Sequence, residues 1–305
     1  MPFFALVAVG YIAGRSRIIS PEGNQGLMAF AYWFAIPAML FRGMAARRAE
    51  EFADLRLLLV YALSTMILFF AVRAITLRAF KLAPEYGIFH GFAAAQSNNG
   101  FLAIPLMPAL FGEQAIAPLA MTLFADLILL YPLGIILADF STKRPASPVA
   151  VVRSVLRSFY LNPFLIALAG GGAIAVAGIK LPAPLSAFIN LLGNAGAPVA
   201  LFVLGASLAL YSAGRGASGQ IAMMNIAKLA LHPLLILGLG TWVIPLAALD
   251  LRVGIAVAAL PTGISIFLIA QRYVANVGIY STAILSSTTI AVISFSAVVY
   301  WVTRP

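Results

Sequence analysis

Cysteine is missing from the 305 residues, and histidine occurs only at His90 and His232. The first absence excludes disulfides, thiolate nucleophiles and Cys-based zinc sites. The second leaves too few imidazoles for a zinc or haem centre, so neither a metal nor a cofactor is expected. Charge is scarce as well: 9% of residues are Asp, Glu, Lys or Arg, against about 25% in soluble domains. Hydrophobic residues take their place, making up 63% of the chain at a mean hydropathy of +1.03. This composition implies an all-α polytopic membrane protein with no sizeable soluble domain. An enzyme embedded in the bilayer would need a nucleophile–base pair or a metal constellation. No span carries a histidine pair or an acidic pair at such spacing, so the chain is not expected to be an enzyme. The net charge of +10 has no water-soluble face to act from and no basic run longer than Arg47-Arg48. Nucleic acid is thereby excluded as a partner, and basic loops at a lipid bilayer explain the charge.

Apolar runs separated by charged or Gly/Pro-rich breaks give ten spans, near 2–14, 25–45, 55–77, 87–111, 114–138, 160–179, 184–210, 220–243, 252–271 and 278–302. The first run lacks a basic start and a small-residue cleavage site, so it is read as helix 1 and not as a signal peptide. At 1.5 Å per residue it reaches about 20 Å, short of a hydrocarbon core of about 30 Å, so it either tilts among partners or continues from a start upstream of Met1. Odd-numbered loops carry eleven Lys and Arg, against seven in the even loops and C-terminus. That bias makes the odd loops cytoplasmic and puts both termini outside. The second loop, with Arg42, Arg47, Arg48 and Arg56, runs against it.

The halves repeat. Ile36-Pro37-Ala38-Met39-Leu40-Phe41 matches Ala197-Pro198-Val199-Ala200-Leu201-Phe202 at an offset of 161 residues. Five spans is an odd number, so the second copy must insert upside down, an inverted-topology repeat. The expected organisation is a first repeat over 1–140, a cytoplasmic loop over 141–158 and a second repeat over 159–305.

Within span 4, Gln96-Ser97-Asn98-Asn99-Gly100 is followed by Pro105, and the same offset leads to Leu260-Pro261-Thr262-Gly263-Ile264-Ser265 in span 9. Polar side chains with Gly and Pro survive at membrane depth only where they line a cavity or are buried in protein. As a matched pair of breaks they point to a substrate site made by helices 4 and 9 crossing. Ser97, Asn98 and Asn99 taken singly could equally be interhelical glue. Half-helix N-termini suit an anion, so the expected ligand is a carboxylate. Asn98, Asn99 and Gly100 with Pro105, and Pro261, Thr262 and Gly263 with Ser265, are the candidate contacts. Asn194, near Pro198, is a further one.

Three ionisable groups are candidates for coupling to an ion or proton. Asp126 is the acid well inside an apolar span, where function is the default reading. It is a proton carrier, a partner of a cation, or a structural hydrogen-bonding group. Lys228 and His232, four apart and so on one face, are either functional or bland. Lys228 near a span end can simply snorkel, and His232 can shuttle protons or satisfy a neighbour.

The segments SNNGFLAIPLMPALFG, AALPTGISIFLIAQRY, KLALHP and GYIAGRSRIIS resemble the signature regions of the auxin efflux carrier family, which includes plant PIN proteins and bacterial malonate or malate permeases. The matching positions are Asn98, Pro105, Pro261 and Gly263. The resemblance implies a secondary transporter of a small organic anion in a bacterial inner membrane. It also implies a scaffold of helices 1, 2, 6 and 7, a transport domain of helices 3–5 and 8–10 moving like an elevator, and a homodimer; the coupling ion expected from Asp126 is H⁺, with Na⁺ as the alternative. Ala103 departs from a position where Gly is common. Helix 3 offers Ser64 and Thr65 where plant members place an Asp, and Asp126 falls where they have a neutral polar residue. The long plant loop is reduced here to 141–157. A sodium-coupled organic-anion symporter of the bile-acid type would share the architecture, and a passive channel would need rings of pore-lining charge.

Overall fold

The computed structural model describes residues 2–47, 54–141, 161–210, 218–274 and 276–304. The loop expected at 141–158 lies outside them beyond Ser141, as do Arg48 and its acidic neighbours. Among the described residues every regular element is helical. In order they are α1 (Pro2–Arg15), α2 (Pro21–Ala45), α3 (Arg56–Arg78), α4 (Pro84–Ala95), α5 (Asn99–Phe111) and α6 (Glu113–Ser141). Then come α7 (Pro163–Ala177), α8 (Ala183–Leu210), α9 (Ser218–Val243), α10 (Ala248–Ala258), α11 (Ser265–Ala270) and α12 (Gly278–Val302). Six of these, α2, α3, α6, α8, α9 and α12, are long and apolar enough to cross a membrane.

Local sequence explains the starts and stops. Pro2, Pro21, Pro84 and Pro163 each sit in a first turn, where a missing N–H costs nothing. Ser20 accepts from Gly23 N at 3.1 Å to cap α2, and Asn162 accepts from Phe164 N at 2.9 Å to cap α7. Gly178 closes α7 with φ +63°, a left-handed conformation that favours glycine.

The burial pattern is that of a protein whose solvent is lipid. Large apolar side chains face outward, among them Leu191 at 76%, Ile293 at 78% and Trp242 at 80% exposure, while Asn98, Asn99, Asp126, Lys228, His232 and Thr262 are buried. Polar groups inside and hydrocarbon outside is the arrangement a bilayer imposes. The protein is therefore an all-helical polytopic membrane protein.

The chain divides into two compact units. Unit 1 comprises Met1–Leu55, Gly100–Ala120 and Ser158–Tyr211. It is packed through small residues: Gly10 of α1 lies against the backbone carbonyl of Phe202 on α8, and Gly205 of α8 lies against that of Val7. Two helix backbones meet here with no side chain between them, the route by which membrane helices gain dispersion contacts when water supplies no drive. Unit 2 comprises Arg56–Asn99, Met121–Arg157 and Ser212–Pro305. Its core includes Leu68 and Val72 of α3, Ala94 of α4 and Ala227 of α9, with Met223 and Leu235 packed on them. The buried polar groups named above all belong to this unit.

The α1–α8 contact gives a test. A methyl at Gly205 would collide with the Val7 carbonyl and stand 2.8 Å from Tyr11 N, both backbone atoms that cannot rotate away. Gly205→Ala is expected to lower the Tm of the detergent-solubilised protein by about 5 °C or more. Gly26→Ala, where an added Cβ meets nothing within 4 Å, is expected to leave it unchanged or raised. Equal melting of both variants would disprove the close packing.

Candidate functional site

The breaks between α4 and α5 and between α10 and α11 complete each other. Helix α4 ends at Gln96, which is extended at φ −81° and ψ 123°. From there Asn98 N donates to Pro261 O at 2.9 Å and Gly263 N donates to Gln96 O at 3.3 Å, making an isolated antiparallel bridge between Ser97 and Thr262. The exchange continues through side chains. Ser97 Oγ donates to Val257 O at the end of α10 (2.8 Å), and Thr262 Oγ1 donates to Ala93 O at the end of α4 (2.8 Å). The Thr262 hydroxyl thus caps a carbonyl at the C-terminus of α4, and Ser97 adds a second bond to Val257 O, which also accepts from Leu260 N at 3.2 Å. Gly263 leaves room for the Gln96 amide, which would stand 2.6 Å from a Cβ there and would have to turn aside. A further tie runs from Thr262 N to Ser287 Oγ on α12 at 3.3 Å.

Three polar groupings surround the bridge. Asn99 Nδ2 donates to Asp126 Oδ2 at 2.6 Å. Gln96 Nε2 donates to Tyr131 OH at 2.6 Å and Ser265 Oγ at 2.7 Å, and those two hydroxyls are 2.6 Å apart. Lys228 Nζ donates to Ser97 Oγ at 2.7 Å and Ala258 O at 2.7 Å, and lies 2.9 Å from His232 Nδ1. His232 Nε2 is 3.4 Å from Thr65 Oγ1, and Tyr61 OH is 3.1 Å from Ser97 Oγ. Asn99, Asp126 and Lys228 all lie in π-helical turns, over Asn99–Ala103, Asp126–Leu130 and Ala227–Leu231. Such turns widen the helix locally and turn a side chain out of the regular stripe.

Most of the candidate residues come together here, although several have different partners from those expected. Lys228 does not snorkel: it is fully buried, because its ammonium finds acceptors inside the protein at the helix breaks. The Thr262 hydroxyl proton is committed to Ala93 O and the Asn99 amide to Asp126, so of the groups expected to donate to a ligand it is Asn98 Nδ2 that has no partner. Asn99 Oδ1, Asp126 Oδ1 and Gln96 Oε1 are buried acceptors likewise without one. Pro261 contributes its carbonyl to the bridge. Helix α11 spans six residues, too short to offer the dipole of a half-helix. Gly100 and Pro105 fall in unit 1, Gly100 with the Phe164 ring 3.6 Å from where its Cβ would be and Pro105 buried on α5. Asn194 is in unit 1 as well, exposed and accepting from Arg42 Nη1 at 2.8 Å; the other arm of Arg42 pairs with Glu113 at 3.0 Å.

Sequence reasoning placed Gln96 in the break but not among the contacts, and it overlooked Tyr131, Tyr61 and Ser287. Tyr131 was findable only by knowing that residues 126–130 form a π turn. Five residues span one hydrogen-bonded π turn, and this brings Tyr131 round toward the breaks as Asp126 is, whereas a 3.6-residue period places them on different faces. Among the described residues no three His, Asp or Glu side chains are grouped so as to hold a metal ion.

Comparison with known proteins identifies the family. A family model described as "Membrane transport protein" matches residues 1–299. A Rhizobium meliloti protein named "Putative malonate transporter" is 28% identical over 303 residues, 98% of this chain and 93% of that one. The Escherichia coli "Uncharacterized transporter YfdV" is 24% identical over 97% of this chain and 92% of its own length. Arabidopsis thaliana "Auxin efflux carrier component 8" is 23% identical over 95% of this chain and 93% of its own. The chain belongs to the membrane transport protein family, that of the auxin efflux carriers.

Proposed function

We propose that this protein is a secondary active carrier of a small organic anion, a carboxylate of the malonate or auxin-like kind, bound beside the paired breaks of helices 4 and 9. The observation that carries the reading is Asn98 Nδ2, a buried amide donor with no partner in the segment where the two breaks pair. A buried donor left unsatisfied costs about 1–3 kcal/mol, and a carboxylate oxygen offers the stronger, charge-assisted bond. The similarity to a Rhizobium protein named for malonate makes malonate the first substrate to try.

Alternating access follows from an inverted repeat. The helix bounds support that repeat: Pro2 and Pro163 open helices 161 residues apart, and Pro21 and Arg56 are followed by Ala183 and Ser218 as helix starts 162 residues later. Taken with five spans in each half, α4–α5 and α10–α11 are crossing broken helices, helix 4 and helix 9. Unit 1 serves as scaffold and unit 2 as the moving body of an elevator. Gly100–Ala120 groups with unit 1, so the second half of helix 4 and the start of helix 5 stay with the scaffold side of the division. The reading includes a homodimer in a bacterial inner membrane with both termini outside, on the family resemblance and the loop bias. Asp126 is the coupling group: its Oδ1 has no partner, so a proton can be taken up and released there while Oδ2 keeps the Asn99 amide.

Two measurements test this. In a thermal-shift screen of mono- and dicarboxylates, wild type is stabilised by malonate or a close relative, and Asn98→Ala loses about tenfold or more in affinity while melting near wild type in the absence of ligand. Unchanged affinity would remove Asn98 from the site. In proteoliposomes, flux of the labelled acid through wild type responds to a proton gradient. Asp126→Asn is expected to bind the acid yet transport it without that response, and a variant still driven by the gradient would end the coupling role.

A further inference from the structure

The group in unit 2 that neither substrate binding nor proton coupling uses is Lys228. A charged side chain with no exposure at membrane depth is costly, and here every donor of the ammonium is engaged. One N–H reaches Ser97 Oγ, one reaches Ala258 O, and the third is directed at His232 Nδ1. The surrounding hydrogen bonds then have one consistent sense. Ser97 Oγ donates to Val257 O, so it accepts from both Lys228 and Tyr61. His232 accepts at Nδ1, carries its proton on Nε2 and donates toward Thr65.

The location of the ammonium explains why a cation belongs there. Ala258 is the last residue of α10, and Ser97 lies two residues past the end of α4. The C-terminal ends of two helices, each with partial negative charge, therefore converge on one point. In a carrier built on broken helices, unwound carbonyls and C-terminal helix ends are the ligands that coordinate a monovalent cation. Here one carbonyl, one hydroxyl and one imidazole nitrogen lie within 2.7 to 2.9 Å of a single nitrogen. Asp126 is a buried acid of the same unit, yet its hydrogen bond goes to Asn99, so the ammonium is not consumed in an ion pair.

We propose that Lys228 is a resident cation: its ammonium, tethered through its side chain to α9, takes the place of an exchangeable sodium ion at the junction of the two breaks and sets the charge of the site without a co-transported metal ion. Lys228 is thus a positioning residue. It fixes Ser97 and the end of α10, and through Ser97 the adjoining Asn98, with no contact to the substrate required. The inference rests on the carrier reading for its transport consequence, but not for its local one.

The test uses reconstituted full-length protein and small amines. Wild-type flux of labelled malonate is expected to be the same in Na⁺, K⁺ or choline media; dependence on Na⁺ would overturn the proposal. Lys228→Met, which keeps the stem without the charge, is expected to lose substrate affinity about thirtyfold or more while remaining monodisperse. Lys228→Ala is expected to regain affinity with ethylammonium and not with ethanol at equal concentration. Rescue by both would reduce Lys228 to packing, and rescue by neither would refute the ammonium role. Melting of Lys228→Ala with ethylammonium or ethanol needs no substrate: selective stabilisation by the amine is expected, and its absence overturns the proposal. If wild type neither binds nor moves any carboxylate while that selective stabilisation is seen, the carrier reading fails and the resident cation stands.

Discussion

Hydrocarbon offers no hydrogen bond to an open carbonyl or amide, and most of this protein's interior follows from that constraint. A helix interrupted at membrane depth must find partners for the groups it exposes. Here the two interruptions are those partners: Gln96 to Asn98 pair with Pro261 to Gly263 through the backbone, and the Ser97 and Thr262 hydroxyls each reach a carbonyl of the opposite helix. Mutual pairing lets unwound backbone persist at membrane depth with its polar groups buried.

The polar residues of unit 2 then divide into those that close the bridge and those that are left to act. Thr262, Ser97 and the carbonyl of Pro261 are committed to it. Asn98 Nδ2, Asn99 Oδ1, Asp126 Oδ1 and Gln96 Oε1 are buried and unpartnered, in a protein where such atoms are ordinarily satisfied. They are grouped: three belong to Gln96, Asn98 and Asn99, and the fourth to the carboxylate that Asn99 holds. Other buried polar atoms, such as His90 Nε2 and Tyr280 OH, lack a partner too, but these four are set apart by lying on three residues of one helix break and on the carboxylate bound to it.

Much of this was legible from residue order, and the parts that were not have identifiable causes. The breaks announced themselves because Asn, Gly and Pro are costly in a membrane span, and the offset between Pro37 and Pro198 found the partner for the first. Lys228 was judged by its distance along the chain from a span end, a measure blind to the acceptors that the end of α10 brings to it. Thr262 looked like a ligand because sequence shows a hydroxyl but not the Ala93 carbonyl that claims its proton. The second half of helix 9 read as a long apolar run through Gln271, yet the helix itself stops at Ala270 after starting as late as Ser265. Hydropathy counts residues, not turns. The π turns hid Tyr131 for a related reason, since a period of 3.6 gives the wrong face wherever the helix widens.

The arrangement of charge around Asn98 links the parts. Among the described residues, Asp126 and Lys228 are the buried carboxylate and the buried ammonium of unit 2, and a direct ion pair would have been the simplest way to hold them. They are bound instead to residues on either side of Asn98: Lys228 to Ser97 and Asp126 to Asn99. Three consecutive residues therefore carry a contact to a cation, an open donor and a contact to a carboxylate. The backbone joins them through the Asn98 N to Pro261 O bond and the Asn99 N to Ser97 O bond, 2.9 and 2.8 Å long. On the carrier reading, a ligand that draws on the Asn98 amide pulls on a segment whose neighbours are fixed by opposite charges. Protonating Asp126 loosens one of those anchors and leaves the other in place. Occupancy of the site and the charge state of the helix break are then coupled through residues that adjoin in sequence, with no longer pathway needed.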